Sequence, residues 1–112
     1  MERKDEMLNM KCPMAIVQNI VAGKWKLLII HNLRKGVKRF GELQRALPDI
    51  RQGTLTGQLR ELEQDGIVHR EVYKEVPPKV EYKLTEIGER FLKVTETMIE
   101  WSDEYIEYIR RN

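Results

Sequence analysis

Between Arg51 and Arg60 the chain sets Arg51, Gln52, Thr54, Thr56, Gln58 and Arg60 around two glycines, Gly53 and Gly57, with no carboxylate before Glu61. Side-chain amides and hydroxyls can donate or accept at base edges and phosphates, a threonine methyl suits thymine, and guanidinium suits guanine or phosphate. Leu55, Leu59 and Leu62 recur at helical spacing and form one narrow apolar seam. The polar residues therefore surround a helix that three leucines hold from behind. Gly53 and Gly57 lie four apart on the exposed face, where each costs about 1 kcal/mol relative to alanine. Close approach of the helix backbone to a groove would compensate. The chemistry is recognition of an anionic surface, and duplex DNA is the expected one.

The other reactive candidate is Cys12, which precedes Pro13 and follows Lys11. Proline is favoured in the first turn of a helix, so Cys12 falls at or near an N-cap. Electropositive surroundings of that kind favour reactive thiols, whereas a free cysteine in other settings is a small buried hydrophobe. With one cysteine in the chain, a disulfide would have to join two subunits or a small thiol. His31 and His69 have no cysteine or aspartate at ligand spacing, and no G-x-G-x-x-G, P-loop or nucleophile elbow is present. The expectation is a non-enzymatic chain with no metal and no cofactor.

The elements that must position these residues fit one domain, residues 1–112, with residues 1–10 a frayed polar lead-in. A helix from Pro13 to about Ala22 buries Met14, Val17 and Val21. A central second helix, Lys24–Arg34, turns Trp25, Leu28, Ile29 and Leu33 inward. Val37-Lys38-Arg39 is extended, and Phe40–Leu47 is a third helix that Pro48 ends. The helix ending at Gly66 follows, so two helices joined by a tight turn make a helix-turn-helix unit. From Ile67 to Lys74 the period becomes two, and Val76-Pro77-Pro78-Lys79 makes a hairpin loop before the return strand 80–84. Such a hairpin is a wing, with Lys74 and Lys79 straddling its tip. The fold class is mainly α with a small β-hairpin, a winged helix-turn-helix.

Thr85 can cap a final helix over 86–110. In it Ile87, Phe91, Val94, Met98, Trp101, Tyr105 and Tyr108 are spaced 4-3-4-3-4-3, an unbroken heptad seam. A helix of that length exceeds what one compact domain needs, so part of the seam requires a second copy. The expected dimer interface is Met14 and Val17 of the first helix with Phe91, Val94, Met98, Trp101, Tyr105 and Tyr108.

Charge divides the chain the same way. Residues 23–60 hold nine Lys or Arg against two acids, a balance of +7, while residues 85–112 hold four bases against seven acids, a balance of −3. A basic middle implies a polyanion partner. No apolar run reaches the roughly 20 residues of a membrane span, and no signal-peptide pattern opens the sequence. No membrane partner is expected, and the expected location is the cytoplasm.

The series Cys12-Pro13, Gly23-Lys24-Trp25, Arg39-Phe40 with Glu42-Leu43, Leu55, Leu59, Leu62 and Gly66, then Glu75 to Tyr82 (E-V-P-P-K-V-E-Y), Leu84-Thr85 and Gly88 resembles the HxlR-type winged-helix regulators, bacterial relatives of the MarR group. The resemblance covers roughly residues 11–101. It implies a homodimeric transcription regulator on a short palindromic operator, with residues 51–65 in the major groove and the wing at neighbouring phosphates or the minor groove. It also implies dimerisation through the terminal helices and, in some members, sensing of oxidants or electrophiles at the cysteine matching Cys12. Arg39, Arg51, Gln52, Thr54, Thr56, Gln58, Arg60, Lys74 and Lys79 are the expected DNA contacts. A small-molecule inducer is compatible with this reading. The competing expectation is a winged-helix module that dimerises and binds protein, not DNA.

Overall fold

The seam of Leu55, Leu59 and Leu62 is the centre of the fold, each residue 2% exposed or less. In the computed structural model, which describes residues 2–112, these leucines lie on α5 (Gln52–Gln64). They pack with Ile29, Ile30 and Leu33 of α3 (Lys26–Leu33) and Leu43 of α4 (Phe40–Ala46). Each such buried aliphatic contributes about 1.5–3 kcal/mol relative to exposure. The cluster closes below with Ile67, and with Val68, Tyr82 and Leu84 of the strands β2 (Val68–Tyr73) and β3 (Lys79–Leu84). Leu28, expected inward, is 44% exposed, and Ile30 takes the core position.

The wing is broader than a hairpin. β1 (Lys38–Arg39) pairs with β3, Lys38 opposite Tyr82 and Arg39 opposite Glu81, so the sheet is antiparallel with order β1-β3-β2. The extended residues before α4 have unused backbone groups, and the open edge of β3 accepts them.

Two more helices precede this core: α1 (Glu2–Asn9) and α2 (Pro13–Val21). The expected frayed lead-in is thus helical over α1. Its anchor is a long-range ion pair: the Arg3 guanidinium donates to both oxygens of Asp65, one at 2.8 Å, and to the Asn19 carbonyl at 3.0 Å. Asp65 is the C-cap of α5, so Arg3 ties α1 to α2 and to the end of α5.

The expected single helix over 86–110 is two, α6 (Glu86–Arg90) and α7 (Leu92–Arg111). Thr85 and Gly88 pin α6 to the end of α5. The Thr85 hydroxyl caps the Gly88 N–H at 3.2 Å and donates to the Gly66 carbonyl. A Cβ at Gly88 would overlap the Ile67 carbonyl oxygen, so only glycine fits there. Phe91 packs on the core, and its N–H bonds to Gly88 at 3.1 Å and Ile87 at 3.2 Å. That tightened turn interrupts the α-helical ladder. Beyond it α7 leaves the domain: every residue from Glu96 to Asn112 is exposed. No single helix among the described residues is long and apolar enough to cross a membrane.

Candidate nucleic-acid interface

α5 is gripped from behind and open in front. Behind it, the Lys26 ammonium donates to the Glu61 carboxylate at 2.6 Å, with the lysine side chain 3% exposed. Lys26 is one of the nine cations in the basic segment, yet this contact commits it to positioning α5. Asp65, held by Arg3, fixes the far end of the same helix.

In front, Arg51 at the N-cap, Gln52, Gly53, Thr54 and Arg60 are exposed. A Cβ added at Gly53 or Gly57 meets no atom within 4 Å, so no internal contact requires glycine at either position. Thr56 is half-buried and its hydroxyl donates to the Gln52 carbonyl at 2.9 Å. That bond occupies the hydroxyl hydrogen within the helix. Gln58 departs from expectation. Its Oε1 is enclosed without a hydrogen-bond partner, and the Gly23 turn lies beside it, where an added Cβ would come to 3.7 Å. On the α5 wheel Gln58 falls on the flank of the leucine seam, and the fold draws its amide inward. That oxygen is turned away from the open face of the helix, while the residue as a whole is half-buried.

A cleft of about 170 Å³ separates α5 from the sheet, lined by Thr56, Arg60, Glu63, Arg70 and Tyr82. Arg70 on β2 is a cation that sequence reasoning passed over. Its register partner across the ladder is Tyr82, which sits in the core beneath α5. Strand pairing thus brings Arg70 to Arg60, and no short-range sequence signal reports it.

At the wing tip the two lysines differ. Lys79 Nζ lies 4.4 Å from the Tyr73 ring and 3.9 Å from the Glu81 carboxylate, so its charge is shared within the hairpin. The Glu81 carboxylate beside it pushes the Tyr73 phenol above its ordinary range. Lys74 is exposed beside Val76, itself 100% exposed, and makes no ion pair among the described residues. Arg39 is exposed at the N-cap of α4; its backbone N–H donates to Glu42 at 2.8 Å.

Cys12 is exposed and is the N-cap of α2, with Pro13 in the first turn. The buried-hydrophobe alternative does not describe it. Along the heptad seam, Met98, Trp101, Tyr105 and Tyr108 are 41–62% exposed, and Val94 is 37% exposed. The rings of Trp101 and Tyr105 stack at 5.3 Å and those of Tyr105 and Tyr108 at 6.1 Å. Met14 is 64% exposed and Val17 half-buried. Phe91 is half-buried and packs against its own core. Among the described residues no three His, Cys, Asp or Glu cluster to hold a metal ion.

This arrangement agrees with what the chain is similar to. The family model for the HxlR-like helix-turn-helix matches residues 20–110. The HTH-type transcriptional regulator YdeP of Bacillus subtilis is 49% identical over 98 residues, 88% of this chain and 77% of that protein. Among solved structures, the redox regulator HypR in its reduced form superposes with TM-score 0.84 at 44% identity, covering 90% of this chain and all of that one. The reduced transcriptional regulator YodB of B. subtilis superposes with TM-score 0.76 at 42% identity, covering 86% and 95%. On a match across most of its length, this chain belongs to the HxlR-like helix-turn-helix family of transcriptional regulators.

Proposed function

We propose that the protein is a homodimeric, sequence-specific DNA-binding regulator that responds to a chemical signal. The observation that carries this reading is the open front of α5: two glycines without any internal packing role, between exposed Arg51, Gln52, Thr54 and Arg60. Such a face lets the helix backbone approach the major-groove floor while long polar side chains reach base edges. Arg51, Gln52, Thr54 and Arg60, with the Thr56 methyl, are the direct contacts. Arg39, Arg70 and Lys74 supply phosphate contacts that set register without reading sequence. Lys79 contributes less, because Glu81 and Tyr73 already share its charge. The second copy pairs along α7 and the outer side of α2, placing two α5 helices on one face of a palindromic duplex.

Cys12 is the sensing group in this reading, supported by its exposure and by the likeness to HypR, which is described as a redox regulator. Oxidation by a disulfide-forming reagent such as diamide would take two protons and two electrons from two thiols. These would be two Cys12 residues or Cys12 and a small thiol, joined by one S–S bond. The shift of α2 would pass to the end of α5 through the Arg3–Asn19–Asp65 bridge. Cys12→Ser is then expected to keep operator binding and lose release by diamide; unchanged release would remove Cys12 from the mechanism. Selection of bound duplexes from a random pool tests the main reading. It should return a palindrome with half-sites about 10 base pairs apart, and a pool that shows no enrichment would contradict it.

A further inference from the structure

At the α3–α4 end lies a charged cleft that the proposed DNA contacts leave unused. Asn32, Arg34, Lys35, Lys38, Glu42 and Arg45 line a hollow of about 440 Å³ between the end of α3, β1 and the outer side of α4. Neither α5 nor the β2–β3 hairpin contributes to its wall. Four cations therefore face one carboxylate, and that carboxylate already accepts the Arg39 N–H at 2.8 Å. None of the four cations makes an ion pair among the described residues. One of them is held by a hydrogen bond, and a second lies along its own helix. The Arg34 guanidinium donates to the His31 carbonyl at 2.7 Å, and Arg45 Nη1 lies along α4, 3.4 Å from where a Cβ would stand on Gly41.

Like charges gathered around a hollow repel one another unless an anion enters. The local field is visible on its other side: burial first, then the cations of Arg34 and Lys35, hold His31 below its ordinary range. A carboxylate would offer one charge and two oxygens. A phosphoryl group offers up to two charges and three oxygens, which suits two guanidiniums and two ammoniums with a net excess of three positive charges.

We propose that this cleft binds a phosphoryl group, carried either by the backbone of duplex flanking the operator or by a free phosphorylated small molecule. The first source rests on the DNA reading above; the second stands without it.

The test compares wild type with the double variant Lys35→Ala/Arg45→Ala, both changes on exposed side chains outside the core. One arm measures melting temperature in millimolar inorganic pyrophosphate against sodium chloride of equal ionic strength. A rise in wild type that the variant lacks assigns the site to free phosphate. The other arm measures affinity across a salt series for operator duplexes with short and with long flanks. A slope of log K against log salt that is shallower in the variant by about 0.9 per phosphate lost, on long flanks only, assigns the site to the backbone. Equal behaviour of variant and wild type in both arms overturns the proposal, as does a slope lowered on short flanks alike. If wild type fails to bind any duplex, the DNA reading falls, while the pyrophosphate arm alone still decides the cleft.

Discussion

The front of α5 and the far half of α7 are both uncovered in one chain, and they are uncovered in opposite ways. α5 is anchored at every buried position and offers glycine, amide, hydroxyl and guanidinium groups outward. From Glu96 onward every residue of α7 is exposed, and the helix offers Met98, Trp101, Tyr105 and Tyr108 within an acidic stretch. A polar, basic, rigid face is suited to a polyanion. A large apolar aromatic face that the chain cannot bury by itself is suited to another protein surface. Under the proposed function the molecule separates reading from assembly: the α5 face would supply contacts, and the projecting α7 would supply the geometry in which two sets of contacts are used together.

Removing the assembly half should give the largest effect. Trp101→Asp places a charge in the stacked aromatic row and is expected to yield monomers by sedimentation. Operator affinity should fall on the order of 100-fold or more, because the second half-site loses its tethered partner. A monomer that binds as tightly as wild type would end the division of labour. Next comes the anchoring of α5. Glu61→Gln leaves the Lys26 ammonium buried without its counter-charge, and breaking a fully buried pair costs about 3–5 kcal/mol. With Glu61 itself half-exposed, a loss of about 2 kcal/mol in urea denaturation is expected. A change near zero would show that the pair does not position α5.

The sharpest contrast between folding and reading lies at Gly57. Gly57→Ala should stabilise the protein by roughly 1 kcal/mol through helix propensity. The added methyl on the groove-facing side should weaken operator binding by about tenfold, about 1.4 kcal/mol. Stability and affinity both rising would remove the close-approach argument. The smallest effect concerns His31. Its folded pKa lies below the ordinary 6.5, so the unfolded chain binds the proton more readily. Its contribution to stability is therefore full above about pH 6.5 and declines as pH falls below it. His31→Gln should flatten that acid-side slope, and a slope unchanged by the substitution would assign it to other groups.

Much of this architecture is legible in local sequence because local physics decides it. The leucine period, Pro13 after Cys12, the paired prolines of the hairpin and the Thr85 cap act within a turn or two. What escapes is set by partners far along the chain. Arg3 orders the lead-in through Asp65, 62 positions away, and Lys26 is withdrawn from the basic surface by Glu61, 35 positions away. β1 exists because the β3 edge is open beside it, and Arg70 reaches Arg60 only through strand register. Gln58 has the right residue type in the right helix, but its flank of the wheel faces the Gly23 turn. At Phe91 an unbroken heptad hides a junction, since α6 answers to the Ile67 carbonyl and α7 to α3.

The most direct test of the account is the salt dependence of binding to duplex DNA. With Arg39, Arg70 and Lys74 on each of two subunits at phosphates, log K should fall steeply and linearly with log salt. The Arg70→Ala and Lys74→Ala variants should each lower the slope by about 1 per subunit. An affinity that stays flat across the series would contradict the DNA reading of α5 and leave the winged helix as a protein-binding module.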